Sequence, residues 1–300
     1  MKRSTVVYLI FAAALMLGGI GCFLGGMIAL DFDFTWLSDE ESVRTEIVPD
    51  TPFTSIAIDV DTTDITFALA EDGICRVVCE ETDLRYHRAT VQNGTLQIYA
   101  EDRMKWYDYC LPMHLSLRVT VYLPLETYDS LRITTDTGDV FLRGAVFDSV
   151  AVETDTGRVT GAVIADKWLN IETDTGNIQL DSITTSAISL VTDTGEIELD
   201  KTRSRSMYIE TDTGRVRLLD AVVSDVLQIC SDTGDVLLEK CDAQTIRIET
   251  DTGDICGSLL TEKVFLVETD TGEIDIPNTS SGGRCELTTA TGDITITIAK

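Results

Sequence analysis

Eight aspartates recur along the chain at intervals of 19 or 20 residues: Asp136, Asp155, Asp174, Asp193, Asp212, Asp232, Asp251 and Asp270. Each opens an Asp-Thr-Gly triplet, closing on Gly138, Gly157, Gly176, Gly195, Gly214, Gly234, Gly253 and Gly272. A ninth copy, Ala290-Thr291-Gly292, lacks the carboxylate. More acids follow the glycine (Asp139, Glu196, Asp235, Asp254, Glu273, Asp293), and Glu153, Glu172, Glu210, Glu249 and Glu268 lie two before the Asp. Carboxylates in such a register open three chemistries: cation binding, glycan hydrolysis or lysis, and the tying of turns.

A hard cation such as Ca²⁺ takes six to eight oxygens. The densest candidate set is Asp232, Asp235, Asp251, Asp254, Asp270 and Glu273. Its spacing matches no calcium loop, and Arg158 and Arg215 interrupt the column that follows the glycine. Resident cofactors are therefore not expected. Glycoside chemistry needs two carboxyls about 5–9 Å apart. The ladder offers many such pairs, whereas an active site should break a repeat, so no enzyme is expected. No Ser-His-Asp set, zinc-type Cys/His spacing or phosphate-binding loop stands out. His87 and His114, the only histidines, lie outside the triplet repeats and read as packed or surface residues. The favoured role for the aspartates is structural. A hydrogen bond to a charged acceptor is worth about 1.5–3 kcal/mol, more than the screened repulsion of neighbouring carboxylates in water, and Asp makes such turns routinely.

The elements that must carry these residues follow from the apolar pattern. In each copy apolar residues stand seven and five before the glycine and two and usually four after it, as in Leu169, Ile171, Ile178 and Leu180. Each half alternates with period 2, so both halves are strands. The glycine marks the change of phase, where backbone freedom is expected to matter. The threonines on either side of each Asp are expected to point inward and the Asp outward. An ice-binding threonine face would instead bury the Asp, at prohibitive cost.

A blade of a β-propeller needs about 40 residues. A unit of 19 or 20, with two strong strands and room for a short third, fits a coil of a β-solenoid. Nine coils at roughly 4.8 Å give a stack of about 43 Å. Gly161 and Gly257 replace the apolar residue four after the bend, and Val163 and Leu260 are expected to fill those places. Ile56, Ile58, Asp61-Thr62-Thr63, Ile65 and Phe67 read as a degenerate first coil with Thr63 in place of glycine. The end of the chain, Ile294 to Ile298, alternates and is apolar. It is expected to form an open edge, covered by residues 278–286 or, preferably, by another molecule.

The N-terminus begins Met1-Lys2-Arg3-Ser4, and residues 5–30 carry no charge, long enough to span a bilayer. Asp31, Asp33, Asp39, Glu40 and Glu41 follow, so the basic tip is cytoplasmic and the body lies outside. Gly21 and Gly25 are spaced as in self-associating membrane helices. The expected domains are residues 1–30, basic tip and transmembrane anchor; 31–52, an acidic linker; 53–125, an irregular strand-rich cap or degenerate coils; and 126–300, the regular solenoid. With 51 acidic residues against 23 basic, the net charge is −28, which disfavours nucleic acid and favours cations and basic surfaces. Eight cysteines form no framework, and mostly free thiols are expected.

An anchor, an irregular region ending in Val119-Thr120-Val121-Tyr122-Leu123-Pro124, then Leu131-Arg132-Ile133 and repeated Thr-Gly-Asp-Ile units resemble a large bacterial family of β-strand repeat proteins of unknown function, often given an adhesin label. The resemblance covers residues 53–300. It implies an all-β, right-handed parallel β-helix and an envelope location, with no catalytic residues to carry over. The combined expectation is a single-pass cell-membrane protein whose extracytoplasmic solenoid binds or scaffolds. Its partner would be a cell-surface protein or glycan, and self-association is open. A sensor or partner component of an envelope-stress system, bound to an envelope membrane protein, is the alternative, and a polysaccharide-active β-helix enzyme a lesser one.

Overall fold

The computed structural model describes residues 12, 15–25, 43–82, 84–103 and 117–299. The chain divides into two compact units, residues 1–42 with 104–115, and residues 43–103 with 116–300. Of the first unit, residues 15–25 are helical. Among the described residues no helix is long and apolar enough to cross a membrane. Most of the expected anchor, residues 31–42 of the expected linker, and His114 lie outside the described residues.

The second unit is an all-β solenoid of about nine turns. The strands of its repeated coils stack in parallel and in register, so residues of one type fall above one another. Ile133, Val152, Ile171, Leu190, Ile209, Ile229 and Ile248 form one internal column. Val140, Val159, Ile178, Ile197, Val216, Val236 and Ile255 form another across the turn. All of these are buried, and none is more than 1% exposed. Burying one such side chain contributes roughly 1.5–3 kcal/mol, and a single coil could not do it alone. A short third strand completes the coil, pairing Val146 with Ile164, Ile164 with Thr184, Thr184 with Arg203 and Arg203 with Val222. At the corner before it Ser182, Lys201, Asp220 and Lys240 hold φ of 58°, 49°, 48° and 55°. These left-handed conformations cost L-residues about 1–2 kcal/mol each.

Several expectations are corrected at the triplet. The first threonine is buried, as at Thr154, Thr173 and Thr211, but the second is exposed beside the outward Asp. The chain bends across Asp-Thr, so two successive side chains face out and strict alternation fails there. The glycine is required by close approach: a Cβ on Gly195 would lie 2.0 Å from the Gly176 carbonyl oxygen, and Gly176 itself would meet Gly157 at 1.9 Å. Val163 does fill the place left by Gly161, at 3% exposed; Leu260 is 41% exposed, and Leu259, at 0%, faces inward in its stead. The degenerate first coil stands as expected, with Ile56, Ile58, Thr63, Ile65 and Phe67 all buried.

The coils do not stack in chain order at either end. Ser55–Val60 lies between Thr95–Asp102 and Thr127–Thr137, and Thr63–Leu69 lies between Leu117–Leu123 and Val140–Leu142. The strands Thr95–Asp102 and Leu117–Leu123 are thus the outermost of the parallel stack. Antiparallel strands close that end: Arg76–Glu81 beside Leu117–Leu123, Val43–Ile47 beside Arg76–Glu81, and Arg85–Gln92 beside Thr95–Asp102. At the other end Gly283–Thr291 and Ile294–Ile298 slot between the coil of Gly253 and that of Gly272. The final residues are therefore not the edge. The outer strand is Lys263–Thr271, with Val264 and Leu266 exposed. Gly282 and Gly283 permit the insertion, since Cβ atoms there would lie 1.7 Å from the Glu262 oxygen and 2.2 Å from the Gln244 oxygen. Buried Lys263 pairs with the Asp242 carboxylate and donates to Thr261 Oγ1 at 2.6 Å, pinning the start of the displaced strand.

Candidate functional site

The parallel register aligns the aspartates along one corner of the coil. Asp136, Asp155, Asp174, Asp193, Asp212, Asp232 and Asp251 follow one another because the threonines on either side, with Ser231 before Asp232, pair coil to coil. Ala290 comes next and Asp270 after it, since Thr291 sits between Thr252 and Thr271. All eight carboxylates are exposed. Contrary to the structural role expected for them, none accepts a hydrogen bond or pairs with a cation among the described residues.

The turn is tied by the residue after the glycine. The Arg158 N–H donates to Asp139 Oδ1 at 2.8 Å and the Glu196 N–H to Asn177 Oδ1 at 2.9 Å. The Asp254 N–H donates to Asp235 Oδ1 at 3.1 Å, and the Asp293 N–H to Asp254 Oδ1 at 2.8 Å. The Glu273 N–H closes the series on Asp293 Oδ1 at 2.8 Å. Inside the bend, Thr192, Thr269 and Thr289 hydroxyls donate to the glycine carbonyl of the adjoining coil at 3.2, 3.1 and 3.1 Å. Asp-Thr-Gly thus contributes its first threonine and its glycine to the scaffold and leaves its Asp free.

The consequence is an acidic ridge without internal neutralisation. Slight burial and the charges of Asp193, Asp232 and Glu210 raise the Asp212 carboxyl above its ordinary value of 3.8. The glutamates run alongside, Glu153 beside Glu172, with Val191 between Glu172 and Glu210 and Cys230 between Glu210 and Glu249. The six carboxylates read as calcium candidates are not gathered at one place. Asp235 and Asp254 are engaged with backbone N–H groups, and the coil of Ala290 separates Asp251 and Asp254 from Asp270 and Glu273.

The one group of three metal-ligand side chains among the described residues is elsewhere: Cys79, Glu81 and His87, all buried. Sequence reading missed it, because no zinc-type spacing announces it; the antiparallel closure of the N-terminal end creates it. Burial lowers the His87 pKa against the opposing pull of Glu81, and pushes the Cys79 thiol up to about 12, with the Glu81 charge adding to the rise. The seven described cysteines are free thiols.

Solved structures are similar to this chain. A lipid binding protein, so described with the qualifier "putative", from Parabacteroides distasonis is 15% identical over 86% of this chain and 98% of its own, with a TM-score of 0.52. A "putative adhesin" from Bacteroides fragilis is 14% identical over 86% and 98%, with a TM-score of 0.48. No curated protein matches the chain. Residues 53–238 and 203–300 match the Toastrack DUF4097 family, together covering residues 53–300. The chain belongs to the Toastrack DUF4097 family.

Proposed function

We propose that the chain is a non-enzymatic binding and scaffolding module held outside the cell membrane by its N-terminal segment. In this reading the helix around residues 15–25 belongs to a single span with a cytoplasmic N-terminus, and the solenoid is right-handed. The observation that carries it is the ridge of carboxylates from Asp136 to Asp270, which the fold aligns but does not use. A column of like charges that stabilises nothing in its own fold is suited to external contact. Its complement is a basic protein surface, or a glycan reached through loosely held cations. Ridge residues are rigidly spaced by the stack, so such a partner meets a ruled charge array instead of a pocket.

The reading is tested in whole cells with a photo-crosslinking residue at Thr213, on the ridge, or at exposed Ser186, off it. Capture from Thr213 alone, weakened by salt as exposed charge contacts are, is the expected result. Equal capture from both positions contradicts a ridge-directed surface. Protease added to wall-stripped cells should remove the body; full protection contradicts the topology.

A further inference from the structure

We propose that Cys79, Glu81 and His87 form a three-ligand site for a zinc-type divalent metal at the N-terminal closure of the solenoid. Cys79 and Glu81 share one face of Arg76–Glu81 through the period-2 alternation of a strand. His87 reaches them from Arg85–Gln92. Their ligand atoms all lie within 4.8 Å of one another, and the three residues are 0%, 6% and 4% exposed.

Glu81 Oε2 and His87 Nδ1 are 3.3 Å apart. That is long for a charge-assisted hydrogen bond. It is also close to the edge of a tetrahedron whose ligands stand roughly 2.0–2.1 Å from a central ion. The outer contacts match as well. Metal-bound imidazoles and carboxylates are oriented by partners on their remaining atoms. Here His87 Nε2 meets Thr63 Oγ1 at 3.0 Å, so the tautomer that donates to Thr63 leaves Nδ1 free to bind. Glu81 Oε1 accepts the Thr45 hydroxyl at 2.6 Å, and Glu81 Oε2 also accepts the His87 backbone N–H at 2.7 Å.

The donor set selects the ion. Calcium and magnesium require six or more oxygens, whereas one thiolate, one imidazole and one carboxylate suit zinc and its first-row neighbours. The Cys79 thiol loses its proton to solvent on binding. Three protein ligands leave one tetrahedral position for an exogenous donor. The location explains what the metal would do. Thr63 stands where later coils have glycine, and its strand lies beside Leu117–Leu123, which in turn pairs with the strand of Cys79 and Glu81. An ion there clamps the antiparallel closure to the first coils.

The alternative is a hydrogen-bonded Glu–His pair beside an inert thiol, and Cys79 separates the two. The full-length chain in detergent, freed of metal with a chelator, is titrated with Co²⁺ and followed by absorption, then with Zn²⁺. One equivalent of Co²⁺ should give a thiolate-to-cobalt charge-transfer band that Zn²⁺ abolishes. Cys79→Ser should remove the band, Cys285→Ser, at another buried thiol, should leave it, and Thr63→Val should weaken cobalt binding about 10-fold while keeping it. Absence of the band in the unmodified chain overturns the proposal whatever the variants do. So does a band that survives Cys79→Ser.

Discussion

Ile255 stands in register with Ile294, and Ile274, one repeat after Ile255 in the chain, lies on the far side of Ile294. The last coil is therefore inserted beneath its predecessor. This order is open to a direct chemical test, because Cys256 pairs with Thr295, which pairs in turn with Asp275. Neighbouring coils place Cα atoms within disulfide range, and coils two apart do not. Thr295→Cys should crosslink to Cys256 under mild oxidation, and Asp275→Cys should not, as read by the mobility of proteolytic fragments. The reverse pattern would mean sequential stacking.

Close approach at the triplet glycine makes a second prediction. Gly195→Val should cost about 3 kcal/mol or more, because its Cβ would meet the Gly176 carbonyl oxygen at 2.0 Å, a contact that only backbone movement relieves. Exposed Glu196→Gln should stay within about 0.5 kcal/mol, as surface changes do. Urea denaturation of the two variants checks the difference.

The pH dependence of stability follows from a contact that exists only in the inserted order. Arg247 Nε–H donates to Glu286 Oε2 at 2.8 Å, and this bond, before any other cause, holds the Glu286 carboxyl below its ordinary 4.5. A carboxyl depressed in the folded state stabilises fully above its unfolded value and loses that contribution as pH falls through the folded value. Glu286→Gln should therefore lower the melting temperature at pH 7 and flatten the decline below pH 4.5. An unchanged acid limb would contradict the contact.

Much of this architecture was legible because the period of 19 or 20 and the alternation within each half fix which side chains face the core. Ile56, Ile58 and Phe67 were readable as a first coil for that reason, even with Thr63 in the glycine's place. Coil order was not readable. Each coil offers the same apolar pattern, so Ile294 fits against Ile255 as well as Ile274 does, and the choice rests on particular contacts such as Lys263 with Asp242 and Arg247 with Glu286. The left-handed corner escaped notice because Lys201, Asp220 and Lys240 carry none of the usual glycine signal. At the ridge, alternation changes phase across Asp-Thr, so the sequence could not say which acid faces the backbone. Cys79, Glu81 and His87 meet through antiparallel pairing of irregular strands, for which no period exists.

The central claim is that the triplet aspartates serve the outside and the post-glycine acids serve the fold, and thermal unfolding of paired variants tests it most directly. The Asp254 carboxylate accepts the Asp293 N–H, so Asp254→Ala should cost about 1–2 kcal/mol. The triple change Asp193→Asn, Asp212→Asn and Asp232→Asn removes repulsion and breaks no bond, so it should raise the melting temperature at pH 7 and low salt. The gain should shrink as salt is added, and as pH falls through the raised Asp212 value, where that carboxyl takes up its proton. A melting temperature that falls with the triple change, or one indifferent to Asp254→Ala, would contradict the account.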